Sequence, residues 1–183
     1  MFIGTKELLR LVREQRLVEN LSERELTNPE GTGFDLRVGA VYKIRGGESF
    51  LGESERYTPE VDEIASFASM DDRKEIILEP GDYVLVKTIE KLNLPENIAV
   101  IFRPRSTLFR SGVSLHTATA SPGYSGELTF GMANHSQSRF RLEMGARIVH
   151  ALFVPVSGDL VSTYRGQWQG GRVSTQGNKE EQV

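Results

Sequence analysis

The segment Arg103-Pro104-Arg105-Ser106-Thr107-Leu108-Phe109-Arg110-Ser111-Gly112 puts three arginines and three hydroxyl residues within ten positions, directly after the apolar run 98–102. A guanidinium is a permanently charged, fork-shaped donor, and serine and threonine add short neutral donors. Such a set suits a phosphate chain. If residues 106–110 turn into a helix, its first amides face the same anion. A solvated basic turn would have the same composition. A second segment, His116-Thr117-Ala118-Thr119-Ala120-Ser121-Pro122-Gly123-Tyr124-Ser125-Gly126-Glu127, is rich in small residues that let backbone approach a ligand closely. Its Pro122-Gly123 pair fixes a turn, as a plain hairpin loop also would. The third, Met144 to Phe153, reads as a turn feeding a buried strand.

Other chemistries have less support. The chain has no cysteine, so disulfides, thiol catalysis and cysteine-ligated metals are excluded, the H-x-E…P-C-x-x-C zinc deaminases among them. His116, His135 and His150 are far apart in sequence and form no H-E-x-x-H pair, so no protein-bound metal is expected. Magnesium arriving on a phosphate substrate needs few protein ligands and stays open. Ser106 and His116 lack the G-x-S-x-G setting of a nucleophilic serine. A net charge of -3 and a pI near 5.7 argue against a nucleic-acid coat. No apolar run approaches the roughly 20 residues of a membrane span. The first residues, Met-Phe-Ile-Gly-Thr-Lys-Glu, lack the layout of a signal peptide, so the expected location is the cytoplasm.

The elements that must hold these segments are mostly strands. At 183 residues, 38% hydrophobic and 26% charged, the chain suits one globular domain, expected over 1–173, with a mobile polar tail over 174–183. One helix is expected over 5–19, capped by Thr5, with Leu8, Leu11 and Val12 on its buried face. Residues 20–32 read as loop. Residues 45–75 read as a charged excursion with one irregular turn or short helix near 61–70. Strands are expected at 33–38, 76–78, 83–87, 98–102, 113–115, 127–132, 139–142 and 148–156, with turn signals every 8–14 residues or so. That spacing predicts an all-β sandwich, barrel or jelly roll with its core over about 33–156.

Taken in order, the segments resemble the dCTP deaminase/dUTPase superfamily. Thr32-Gly33-Phe34-Asp35-Leu36 resembles its first motif, and Arg105-Ser106-Thr107-Leu108-Phe109-Arg110 its second. His116-Thr117 with Pro122-Gly123-Tyr124-Ser125-Gly126 is similar to the third, and Gly145-Ala146-Arg147-Ile148-Val149-His150 to the fourth, G-x-R-I-A-Q. Tyr164-Arg165-Gly166-Gln167-Trp168-Gln169-Gly170 resembles the C-terminal motif of the deaminase branch. The resemblance implies a distorted antiparallel jelly roll (a dUTPase-like β-clip) with one N-terminal helix. It also implies a homotrimer with sites between subunits, dCTP or dUTP as substrate, and Mg2+ held through the triphosphate. By the same resemblance Arg105, Ser106 and Thr107 hold phosphates, and Ser106 and Arg110 orient the base and activate water. Thr117, Ala118, Ser121 and Tyr124 face the pyrimidine, while Tyr164, Gln167 and Gln169 close over the nucleotide.

The chain departs from the family where protons are moved. Ser121 stands where dUTPases carry an Asp, in a loop about two residues shorter than in deaminases. Gly131 stands where deaminases carry a Glu, and Gln167 where they usually carry Lys. Neither serine nor glycine can act unaided as a general base near neutral pH. Glu127 is on the face of Gly131 and is the first candidate for the base, although four residues of strand span about 13 Å. Three readings follow: a dCTP deaminase that forms dUTP or continues to dUMP, a dUTP diphosphatase, or a nucleotide-binding relative without turnover.

Overall fold

The computed structural model describes residues 1–69 and 74–182. Its elements in chain order are α1 (Thr5–Gln15), β1 (Val18–Glu19), α2 (Glu23–Thr27), β2 (Phe34–Ile44), β3 (Phe50–Leu51), β4 (Glu55–Tyr57) and β5 (Val61–Ser66). There follow β6 (Glu75–Leu78), β7 (Tyr83–Asn93), β8 (Ile98–Pro104), α3 (Ser106–Arg110), β9 (Val113–His116) and β10 (Thr119–Ala120). The chain ends with β11 (Ser125–Asn134), β12 (Phe140–Glu143), β13 (Arg147–Pro155) and β14 (Glu180–Glu181). The main sheet runs β10-β8-β13-β2-β7-β11-β9, with β1 added to β7 and β5 to β2. Its pairings are antiparallel. The all-β, curled antiparallel fold with an N-terminal helix is the expected one.

Several expected boundaries are corrected. The first helix stops at Gln15 rather than 19, because Arg16 turns left-handed (φ 53°) and ends the run. Leu17 and Val18, apolar enough to continue a helical pattern, are instead buried where β1 pairs with Leu92 and Lys91. The N-cap is Gly4, without a side-chain hydrogen bond, rather than Thr5. The expected loop 20–32 contains α2, whose cap Ser22 accepts from the Glu25 amide. The excursion after residue 45 forms β3, β4 and β5, so 61–66 is a strand paired with β2, not a helix. Residue 70, the end of that expected helix, lies outside the described residues. The tail is docked: Ser174 and Thr175 are buried, Thr175 exchanges hydrogen bonds with Thr58, and β14 pairs with β4.

The core lies inside the curl. Phe34 meets Phe153 edge-on at 5.9 Å, and Phe102 meets Phe130 at 5.2 Å. Each such buried ring contributes about 1.5–3 kcal/mol. A buried ion pair fixes the irregular pairing of β2 with β7. Glu90 is fully buried and accepts from the Arg37 amide and from Arg37 Nε, both at 2.7 Å. These bonds sit beside the register shift between Val38 and Ala40.

Candidate functional site

Strand β13 lies between β2 and β8, so His150 is the register partner of both Asp35 and Arg103. That topology gathers residues of the first, second and fourth segments around one carboxylate. Asp35 is almost fully buried. Arg105 Nη1 donates to its Oδ2 at 2.5 Å, Arg147 Nη1 to the same oxygen at 2.9 Å, and His150 Nδ1 to Oδ1 at 2.7 Å. His150 Nε2 donates to the Thr32 carbonyl at 2.5 Å. A carboxylate and a carbonyl can only accept, so both ring nitrogens carry protons and His150 is an imidazolium here. Its hydrogen bond to Asp35 raises its pKa against the opposing effect of burial. For Asp35, burial is the largest influence and pushes upward. The hydrogen bond from His150 and the charge of Arg105 outweigh it and hold the carboxyl below its ordinary value.

These shifts set a pH window. His150 contributes stability that is complete below its ordinary value of 6.5 and is lost as pH rises through the raised value. Asp35 contributes stability that is present above 3.8 and is lost as pH falls through its lowered value. The melting temperature should therefore decline on the alkaline side of this window. His150→Gln, which keeps a donor but cannot titrate, should remove that decline. An unchanged alkaline limb in this variant would refute the assignment.

Arg105 thus has a structural partner as well as its expected ligand. With Thr107, Arg141 and Arg147 it lines a basic cavity of about 370 Å³ beside α3. Ser106 and Arg110 are exposed on α3, and the Arg110 guanidinium lies 5.8 Å from the Phe109 ring centre.

A separate, mostly apolar cavity of about 270 Å³ opens between β8, the third segment and the C-terminal segment. Ala118, Tyr124 and Tyr164 line it, as do Phe102, Thr129 and Trp168, which the sequence reading had not singled out. Its size is near the lower end of ligand pockets and suits a base rather than a whole nucleotide. Thr129 lines the cavity, and its Oγ1 is buried without a hydrogen-bond partner among the described residues. Hydrogen bonds pin the C-terminal segment beside this cavity. Gln169 accepts from the Ser125 amide at 3.1 Å and donates to the Gly123 carbonyl at 3.0 Å. The Tyr164 amide donates to Pro122 O at 2.8 Å, and its ring meets Tyr124 edge-on at 5.4 Å. Burial pushes the Tyr124 phenol up, so it stays protonated and donates to the Glu127 carbonyl.

The remaining expected residues divide. Thr117 donates its hydroxyl to Phe102 O at 3.3 Å, and Ser121 is exposed at the turn. Gln167 lines a different cavity, which shares Trp168 with the apolar one. Glu127 does not line the apolar cavity but lies against Gly171, where any Cβ would overlap its carboxylate. His116 and His135, remote in sequence, both reach the Ser114 hydroxyl, at 3.2 and 2.9 Å. Among the described residues no group of three or more acidic or histidine side chains could hold a metal ion. Nor is any described helix long and apolar enough to cross a membrane.

Gly131, which the resemblance places where deaminases carry a Glu, has the Tyr83 hydroxyl in its side-chain space. A Cβ there would overlap the Tyr83 hydroxyl. Gly131→Glu must move the Tyr83 ring, whose tip is the far end of a side chain 44% exposed, so it should cost about 1 kcal/mol or less. Adding Tyr83→Ala should make the substitution neutral in urea melts. A loss several times larger for Gly131→Glu alone would mean that Tyr83 cannot move aside.

The dCTP deaminase-like family profile matches residues 2–156. A probable deoxyuridine 5'-triphosphate nucleotidohydrolase of Methanothermobacter thermautotrophicus is 36% identical over 145 residues, which is 79% of this chain and 89% of that one. A dCTP deaminase of Pyrococcus furiosus is 28% identical over 159 residues, 87% of this chain and 88% of its own. Among solved structures, the 2'-deoxycytidine 5'-triphosphate deaminase from Agrobacterium tumefaciens has a TM-score of 0.63 at 15% identity. It matches 85% of this chain, which spans 48% of its length.

Proposed function

The chain belongs to the dCTP deaminase-like family, and from that premise we propose that it binds a pyrimidine deoxynucleoside triphosphate and deaminates dCTP to dUTP. The sites would lie between subunits of a homotrimer. One observation carries this reading. The apolar cavity suited to a base and the basic cavity suited to phosphates share no lining residue on one chain. Sites shared between subunits would let a base half from one chain meet a phosphate half from its neighbour.

In this reading Arg105, Ser106 and Thr107 take the triphosphate. Mg2+ arriving on the triphosphate would be held beside Arg105, Ser106 and Thr107 and would supply neutralisation of phosphate charge. Thr129 and the backbone of 117–120 face the base. Ser106 and Arg110 position water; Glu127, two residues from the cavity-lining Thr129, takes the proton as oxygen adds to C4 and returns it to the amine that leaves as the C4–N bond breaks. The balance is water consumed and ammonia released.

The Tyr83 hydroxyl beside Gly131 favours a second reading, nucleotide binding without turnover. The name of the Methanothermobacter relative favours a third, dUTP diphosphatase activity.

Subunit mixing tests the shared site. Ser106→Ala and Glu127→Gln chains should each be inactive alone. If these residues serve one site from different subunits, every mixed trimer regains one intact site, and activity returns on co-assembly. No recovery in verified mixed trimers, or a mass of 20.5 kDa by light scattering, would contradict it.

A further inference from the structure

Asp35 joins the basic cavity to a histidine. Two of the arginines that line the cavity, Arg105 and Arg147, donate to Asp35 Oδ2, while His150 holds Oδ1. His150 is outside the cavity lining, so it acts there through the shared carboxylate and its own charge. The fourth motif has Gln at this position, a side chain that cannot titrate. Here the ring is fixed between two acceptors, Asp35 Oδ1 and the Thr32 carbonyl, and only an imidazolium has a proton for each. Its side chain keeps 25% of its surface exposed, so the proton can exchange with solvent.

Charged groups face this ring from each neighbouring element. Strand β2 supplies Asp35, and α2 supplies Glu25, which accepts from the Asp35 amide at 3.2 Å and is paired with Arg24. Strand β8 supplies Arg103, the register partner of His150, and Arg105 follows it. Arg147 comes from β13 itself. Guanidiniums keep their charge at any working pH, whereas an imidazole changes charge near neutrality. With the imidazolium present, three cations share one carboxylate, and the arginines keep positive charge to offer an anion. When the ring loses its proton, one of its two acceptors goes unpaired. The carboxylate then falls to the arginines alone, and the cavity loses a positive charge beside it. We propose that His150 makes triphosphate binding pH-dependent, its proton strengthening the hold of Arg105 and Arg147 on the anion. The proposal rests on the basic cavity being the phosphate half of the site, and adds a switch to it. Affinity is highest below the raised pKa of His150 and declines as pH rises through it. Linkage is reciprocal, so an anion bound in the cavity raises the affinity of His150 for its proton by the same factor.

Inorganic tripolyphosphate is the probe, since it has no base to engage the apolar cavity. Its own protons titrate in the same range, so the quantity to read is a ratio. Its affinity for the wild-type protein is divided by that for His150→Gln, each measured by calorimetry from about pH 6 to about pH 9. That ratio should fall at least about threefold across the range, the scale of coupling between partly exposed charges. In the wild-type protein, the NMR titration of the His150 ring should move to higher pH when tripolyphosphate is added. That measurement needs no variant, so it decides even if His150→Gln fails to fold. A constant ratio, or a His150 titration that tripolyphosphate leaves in place, overturns the switch alone. No binding of tripolyphosphate at any pH overturns the phosphate reading of the cavity, and the switch with it.

Discussion

Asp35→Ala should lower the free energy of unfolding by about 3 kcal/mol, the lower end of the range for removing one partner of a buried ion pair. The lower end applies because Arg105, Arg147 and His150 keep 38%, 35% and 25% of their side-chain surface exposed and regain some hydration. The same change should weaken triphosphate binding, because Arg105 loses the anchor that orients it. Arg105→Ala should cost more than tenfold in triphosphate affinity, and it should also cost stability, which the reading of Arg105 as a pure ligand did not anticipate. Urea unfolding of Asp35→Ala decides the matter. A loss under about 1 kcal/mol would mean that the four charges are independently solvated.

The second large effect is expected at Glu127. It is the only acid between Ser121 and Gly131, and Thr129, two residues along the same strand, lines the apolar cavity. Glu127→Gln keeps the shape and removes the base, so turnover should fall at least a hundredfold with nucleotide affinity little changed. Full turnover in the variant would leave Glu127 as a support for the C-terminal segment, against which Gly171 already packs it.

What the sequence disclosed follows from what is local. Strand β8 could be read from its apolar run 98–102, most of β11 from apolar alternation, and the helix start from Leu8 and Leu11. Strand β7 was seen only to residue 87, because Glu90 and Lys91 look like solvated turn residues. In the structure Glu90 is buried, since Arg37, 53 residues away, neutralises it. No local pattern identifies which charge will find such a partner. Strands β3 to β5 were missed for a related reason: they are short and largely exposed, and β5 is held by pairing with β2 rather than by its own periodicity. The motif residues were legible as types in order, but not their grouping. Asp35, Arg105 and His150 meet because β13 lies between β2 and β8. The two glutamines of the C-terminal segment separate, Gln167 lining the cavity beside β3 and β4 while Gln169 bonds to the backbone of Ser125 and Gly123.

Deamination is tested most directly by incubating the protein with Mg2+ and each of dCTP, dUTP and CTP while following ammonia and pyrophosphate separately. Ammonia released from dCTP in step with dUTP formed is the predicted result. Pyrophosphate from dUTP without ammonia from dCTP, or bound nucleotide with neither product from any of the three, would contradict it.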